Sequence, residues 1–146
     1  MNACASRLFA SFVDVAIAPS DILQNVLLAT LDPCGLRPSI VNFEEVASLS
    51  LDRARRESVR MPDDPSIAKI RADVATIEDL PAPRSTVKGA VGPFIGVHLR
   101  RGDLEARLFT TIATIGTPID ATAQDIRIET FFPADEATRA LFRSWV

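Results

Sequence analysis

Apart from its carboxylates, few residues of this 146-residue chain can do proton or metal chemistry. His98 is the one imidazole, and there is no tyrosine. A histidine can act as a general base or bind a charged headgroup. Here it falls on the polar side of an alternating stretch, beside Arg100 and opposite Arg107, so a surface histidine explains it better. One histidine excludes a His-rich metal site, and a Ser-His triad would rest on His98 alone. Cys4 and Cys34 match no zinc spacing and make no disulfide framework in a chain of this length. Both read as reduced, small and largely buried. Glu44 and Glu45 fit a helix start better than a catalytic dyad. In Val87-Lys88-Gly89-Ala90-Val91-Gly92 the lysine precedes the glycines, and the spacing is not that of a phosphate loop. No nucleophile elbow is visible. These residues point to no catalytic group, no metal site and no cofactor.

Composition agrees with that. Hydrophobic residues make up 47% and charged residues 24%, the mixture of a single soluble domain. A net charge of −3 argues against bulk electrostatic binding of nucleic acid. No apolar run approaches the ~18 residues that cross a bilayer. Met1-Asn2-Ala3-Cys4 lacks the basic start of a signal peptide, so the cytoplasm is the expected compartment.

The first half reads as helices. Leu8, Phe9, Phe12, Val13 and Ala16 recur at three- and four-residue steps and predict a helix from Asn2 to about Ile17, with no N-cap before it. Ser20 or Asp21 can cap a second helix carrying Ile22, Leu23, Val26, Leu27 and Leu31. It stops at Asp32-Pro33-Cys34-Gly35, where Gly35 permits a positive φ. Leu36-Arg37-Pro38 reads as an extended link. Asn42 with Glu45 resembles a capping box and opens a helix to about Arg60. Its charges read as a solvated face, and Phe43, Val46, Ala47, Leu51 and Ala54 as a thin apolar one. Asp64 and Pro65 start a further helix bearing Ile67, Ile70, Val74 and Ile77, ending near Asp79. Two prolines make Pro81 to Thr86 a loop, which runs on to Pro93.

From Phe94 to Phe132 the residues favour strands. Gly102-Asp103 suits a two-residue type II′ hairpin. That turn sets Val97 against Leu108 and Leu99 against Ala106 on one face. The other face holds Arg100 opposite Glu105, an expected ion pair, and His98 opposite Arg107. After Gly116-Thr117-Pro118 a third strand is expected from Asp125, with Ile126, Ile128, Thr130 and Phe132 alternating against Arg127, Glu129 and Phe131. Pro133 then opens a last helix with Asp135 and Arg139 spaced as an i,i+4 pair. The order predicts an α+β fold: helices on a three-stranded antiparallel sheet, closed by a C-terminal helix. Helices on a small curved sheet often leave a cavity. Leu27, Phe43, Val97, Leu99, Leu108 and Ile112 can line it, or can fill a solid core.

Two stretches carry a family resemblance. Leu36-Arg37-Pro38-Ser39-Ile40-Val41-Asn42-Phe43-Glu44-Glu45-Val46-Ala47 resembles a segment of the MmyB-like transcription regulator ligand-binding domain. So does the tail from Leu108 to Asp120, followed by Ile126-Arg127-Ile128-Glu129-Thr130-Phe131-Phe132-Pro133-Ala134-Asp135-Glu136-Ala137-Thr138. The resemblance implies the C-terminal half of a bacterial XRE-family helix-turn-helix regulator. It implies a PAS-like domain that senses a small apolar ligand, fatty acids foremost, with DNA bound only through a helix-turn-helix domain absent from this chain. Residues 1–146 would then be one sensor domain, truncated at its N-terminus and lacking the first strands of its sheet. The third strand would keep an open edge, and self-association, including a homodimer, is expected. The competing readings are a filled dimerisation module and a small lipid-acting enzyme using His98.

Overall fold

The hairpin forms as its turn chemistry requires. In the computed structural model, which describes residues 2–14, 16–84, 95–115 and 126–145, Gly102 takes φ +59° and Asp103 stays out of the positive region. That combination is the type II′ turn, whose twist matches the flanking strands. It fixes β1 (Ile95–Arg101) against β2 (Leu104–Ile115) with Val97 opposite Leu108 and Leu99 opposite Ala106. β2 continues and pairs antiparallel with β3 (Ile126–Pro133), from Leu108 opposite Pro133 to Ile115 opposite Ile126. The sheet order is β1-β2-β3. Leu99, Ala106 and Leu108 are buried on one face. On the other, Glu105 leaves its cross-strand neighbour Arg100. Its Oε1 lies 2.7 Å from His98 Nε2 on the diagonal and 3.1 Å from Arg107 Nη2. His98 reaches the carboxylate as a diagonal partner across the hairpin, and Arg107 reaches it from two residues along the same strand.

Helices cover the buried face. α1 (Ala3–Phe12) lays Leu8, Phe9 and Phe12 on it. Its start is capped after all: Asn2 Oδ1 accepts from Ala5 N at 2.8 Å. α1 is also shorter than the periodicity suggests, since Val13 is already extended.

The expected second helix is two. α2 (Ser20–Leu23) has no side-chain cap, and α3 (Val26–Leu31) begins afresh at Asn25. Asn25 Oδ1 accepts from Leu27 N and Leu28 N, the local bonding by which asparagine competes with a continuous helix. Gly35 is needed for space rather than for φ. Leu36 N donates to Ala29 O at 2.6 Å, and a Cβ on Gly35 would sit 2.1 Å from that same oxygen. Arg37–Ser39 forms a 3-10 turn instead of an extended link. Ser39 Oγ donates to Phe12 O at 2.6 Å, tying the turn to the end of α1.

α4 (Phe43–Arg60) is the longest helix. Asn42 precedes it but does not cap it with its side chain. Its amide turns to the hairpin instead: Nδ2 donates to Gly96 O at 2.9 Å and to Glu45 Oε2 at 3.0 Å, and Oδ1 accepts from His98 N at 3.0 Å. The charged run on α4 is not wholly solvated. Asp52 is buried, bonded by Arg56 and by Arg55 Nη2 at 3.2 Å. The Arg56 hydrogen bond, then that of Arg55, holds its carboxyl below the ordinary range against the cost of burial.

α5 (Pro65–Ala75) starts where Asp64 and Pro65 predict, with Asp64 Oδ1 accepting from Ser66 N at 2.7 Å. It stops before Ile77, and Asp79 takes φ +57°. Pro133 belongs to β3, and α6 (Glu136–Arg143) opens after it. Asp135 caps α6 through Thr138 N at 2.8 Å, so Arg139 pairs with Glu136 instead. The buried Thr138 hydroxyl accepts from Arg107 N at 2.9 Å, seating α6 on β2. The whole is an α+β arrangement of helices on a three-stranded antiparallel sheet with a C-terminal helix. The glycine-containing segment Val87–Gly92 and the turn Gly116–Pro118 lie outside the described residues.

Candidate ligand cavity and groove

Two spaces open between the helices and the sheet. The inner one is a cavity of about 40 Å³, walled by Leu36, Ile40, Val46, Val97, Leu99 and Leu108 among others. A single water needs ~10–15 Å³, so it holds a few waters and no hydrocarbon chain. The outer one is a groove of about 1300 Å³ running between α1, α4, α5 and β3. Leu8, Phe9, Val26, Leu27, Arg53, Glu129 and Phe131 line both, so they form the neck between the two. Phe9 and Phe131 meet edge to face there, with ring centroids 6.5 Å apart.

The sequence-derived residues divide. Val97, Leu99 and Leu108 line the inner cavity, and Leu27 lines both spaces. Phe43 is half-buried at the base of α4, packed on the core under the Arg37 guanidinium, 4.7 Å from its ring centre. It lines neither space. Ile112 pairs with Glu129 in the β2–β3 register, and its side chain lies outside the described part. His98 is three-quarters buried on the far face of the hairpin and lines neither space. It holds Glu105, whose carboxyl it and Arg107 pull below the ordinary range. Cys34 is exposed rather than buried, and Cys4 is half-buried at the rim of the groove.

Sequence reasoning missed the two charged residues of the neck. Arg53 lies in a run of arginines that reads as a solvated face, and Glu129 alternates along a strand as a polar residue should. What distinguishes them is placement. Burial pushes the Glu129 carboxyl above the ordinary range, with the positive charge of Arg53 pulling the other way. Among the described residues, neither side chain makes a hydrogen bond or an ion pair within 4 Å. The only signal in the sequence was the position of Glu129 beside Phe131 on one strand face, a carboxylate sharing a side with an aromatic that belongs to the core.

The neck can therefore offer one guanidinium and one reluctant carboxylate to a molecule whose body is apolar. Among the described residues no three metal-binding side chains converge, and no helix is long and apolar enough to cross a membrane. Neither curated proteins nor solved structures give a match to this chain. A family profile does, over residues 1–144, and by that match the chain belongs to the family of the MmyB-like transcription regulator ligand binding domain.

Proposed function

We propose that this ligand-binding domain senses a small apolar molecule, with fatty acids the leading class, and passes its occupancy to a helix-turn-helix DNA-binding domain of an XRE-family regulator in the bacterial cytoplasm. The observation that carries the reading is the large groove continuous with the core through a neck of Leu8, Phe9, Leu27 and Phe131. Its volume exceeds the ~300–1,000 Å³ typical of small-molecule pockets, so a chain-like ligand has room. A guest in the groove would touch α1, α4, α5 and β3 together. Four elements sharing one ligand is the arrangement by which differential contacts shift a conformational equilibrium.

The experiment is mass spectrometry of lipids extracted from the purified protein. A fatty acid recovered in near-stoichiometric amount supports the reading. Protein that is lipid-free and takes up no added fatty acid defeats it.

A second reading has an observation of its own. The inner cavity holds only about 40 Å³, so the core proper is nearly filled. That favours a structural dimerisation module, for which sedimentation would show a stable homodimer indifferent to added lipid. The enzyme reading would need His98 beside a substrate, and its side chain is engaged by Glu105 away from both spaces.

A further inference from the structure

We propose that Arg53 anchors the acidic head of an amphiphilic ligand whose apolar body lies in the groove along α5, with Glu129 as the counter-charge of Arg53 in the empty state. The inference rests on the sensor reading and adds to it a ligand chemistry and a contact residue.

The first support is position. Arg53 and Glu129 line both the inner cavity and the outer groove, and so stand at the neck. The second is what they lack. Its helix neighbours Arg55 and Arg56 are both engaged by Asp52. Arg53 has no such partner among the described residues, although a guanidinium carries five donors. The third is the charge that persists there. An arginine stays protonated at any physiological pH, and the guanidinium donors that Arg53 leaves unengaged at the neck select an anion over a cation.

The apolar body has its own surface. Ile67, Ile70 and Val74 share one face of α5, and no residue of that helix is buried. All three line the groove, as does Ile128 of β3. The inner cavity is too small to take a chain, so the chain must lie in the outer groove with its head at the neck. A planar carboxylate is the group that a guanidinium fork holds with two parallel bonds.

The test uses the full chain stripped of lipid, with cis-parinaric acid and its methyl ester as fluorescent probes. Wild type should bind the acid ten-fold or more tightly than the ester, the scale of a hydrogen bond to a charged group. Arg53→Met keeps length and apolar bulk. It should bring the acid down to the level of the ester and leave the ester unchanged. Glu129→Gln removes the competing carboxylate and should tighten the acid several-fold, again without moving the ester. A melt followed by circular dichroism checks that both variants fold, and should either fail, the other decides. Equal affinity of wild type for acid and ester, or parallel losses of both in either variant, overturns the anchor and leaves the sensor reading standing. Failure of both probes to bind wild type overturns the sensor reading itself.

Discussion

Asp52 shows how a single side chain in a charged helix can belong to the interior. Its carboxylate is buried and doubly bonded by Arg55 and Arg56, whose own ends reach solvent. Asp135 is held similarly by the backbone and hydroxyl of Thr138, and its carboxyl also lies below the ordinary range. Both groups have depressed folded-state values, so the stability they give is present above the unfolded carboxylate pKa, near 3.9. It is lost as pH falls through the still lower folded values. Thermal melts should therefore drop steeply below about pH 4, and Asp52→Asn should flatten that fall. Glu129 has the opposite sign. Its folded carboxyl is raised above 4.5, so the native state is weakened as pH rises past that point. Glu129→Gln should raise the melting temperature at pH 7 and leave it unchanged near pH 3. Ser48 offers a further contrast. Its buried hydroxyl has no partner among the described residues. Ser48→Ala should be neutral or stabilising by about 1 kcal/mol in a denaturant melt.

At the scale of elements, local chemistry decided the outcome wherever it was self-contained. The Gly102-Asp103 turn and the start of α5 at Asp64-Pro65 could be read from four residues each, and both form as read. Asp64→Ala should cost about 1 kcal/mol, the value of a lost N-cap, in chemical denaturation. Signals that depend on distant partners were illegible. Asn42 looks like a cap, yet the carbonyl and amide of β1, over fifty residues away, compete successfully for its side chain. Gly35 looks like a left-handed stop, yet its requirement is the close pass of Ala29. Gly35→Ala forces a backbone shift there and should destabilise the fold by about 3 kcal/mol, the upper end of overpacking costs. The cavity was half legible for the same reason. Strand alternation marked Val97, Leu99 and Leu108 as inward, but no periodicity says which arginine of four on α4 meets which strand carboxylate.

For the whole molecule the sheet edge matters most. β3 has no second strand partner among the described residues, and Ile128 and Phe132 on it are 46% and 40% exposed. An edge of this kind is a template for another chain. Sedimentation velocity should show self-association that rises with protein concentration. Phe132→Lys should suppress it, because charge on an edge strand blocks edge-to-edge pairing. If the domain stays monomeric at high concentration, that edge is covered by other means.

The clamp at Asn42 sets the mechanics of the domain. α4 has 18 residues and so extends about 27 Å, with its first turn pinned to the hairpin and its far end forming one bank of the groove. A rod fixed at one end can only swing. A tilt of ~10° about Asn42 would sweep the Arg60 end through about 5 Å while leaving the hairpin in place. Whatever molecule settles between α4 and α5 thus works at the long arm of a lever whose fulcrum is the Asn42 amide together with the Val41–His98 backbone bond.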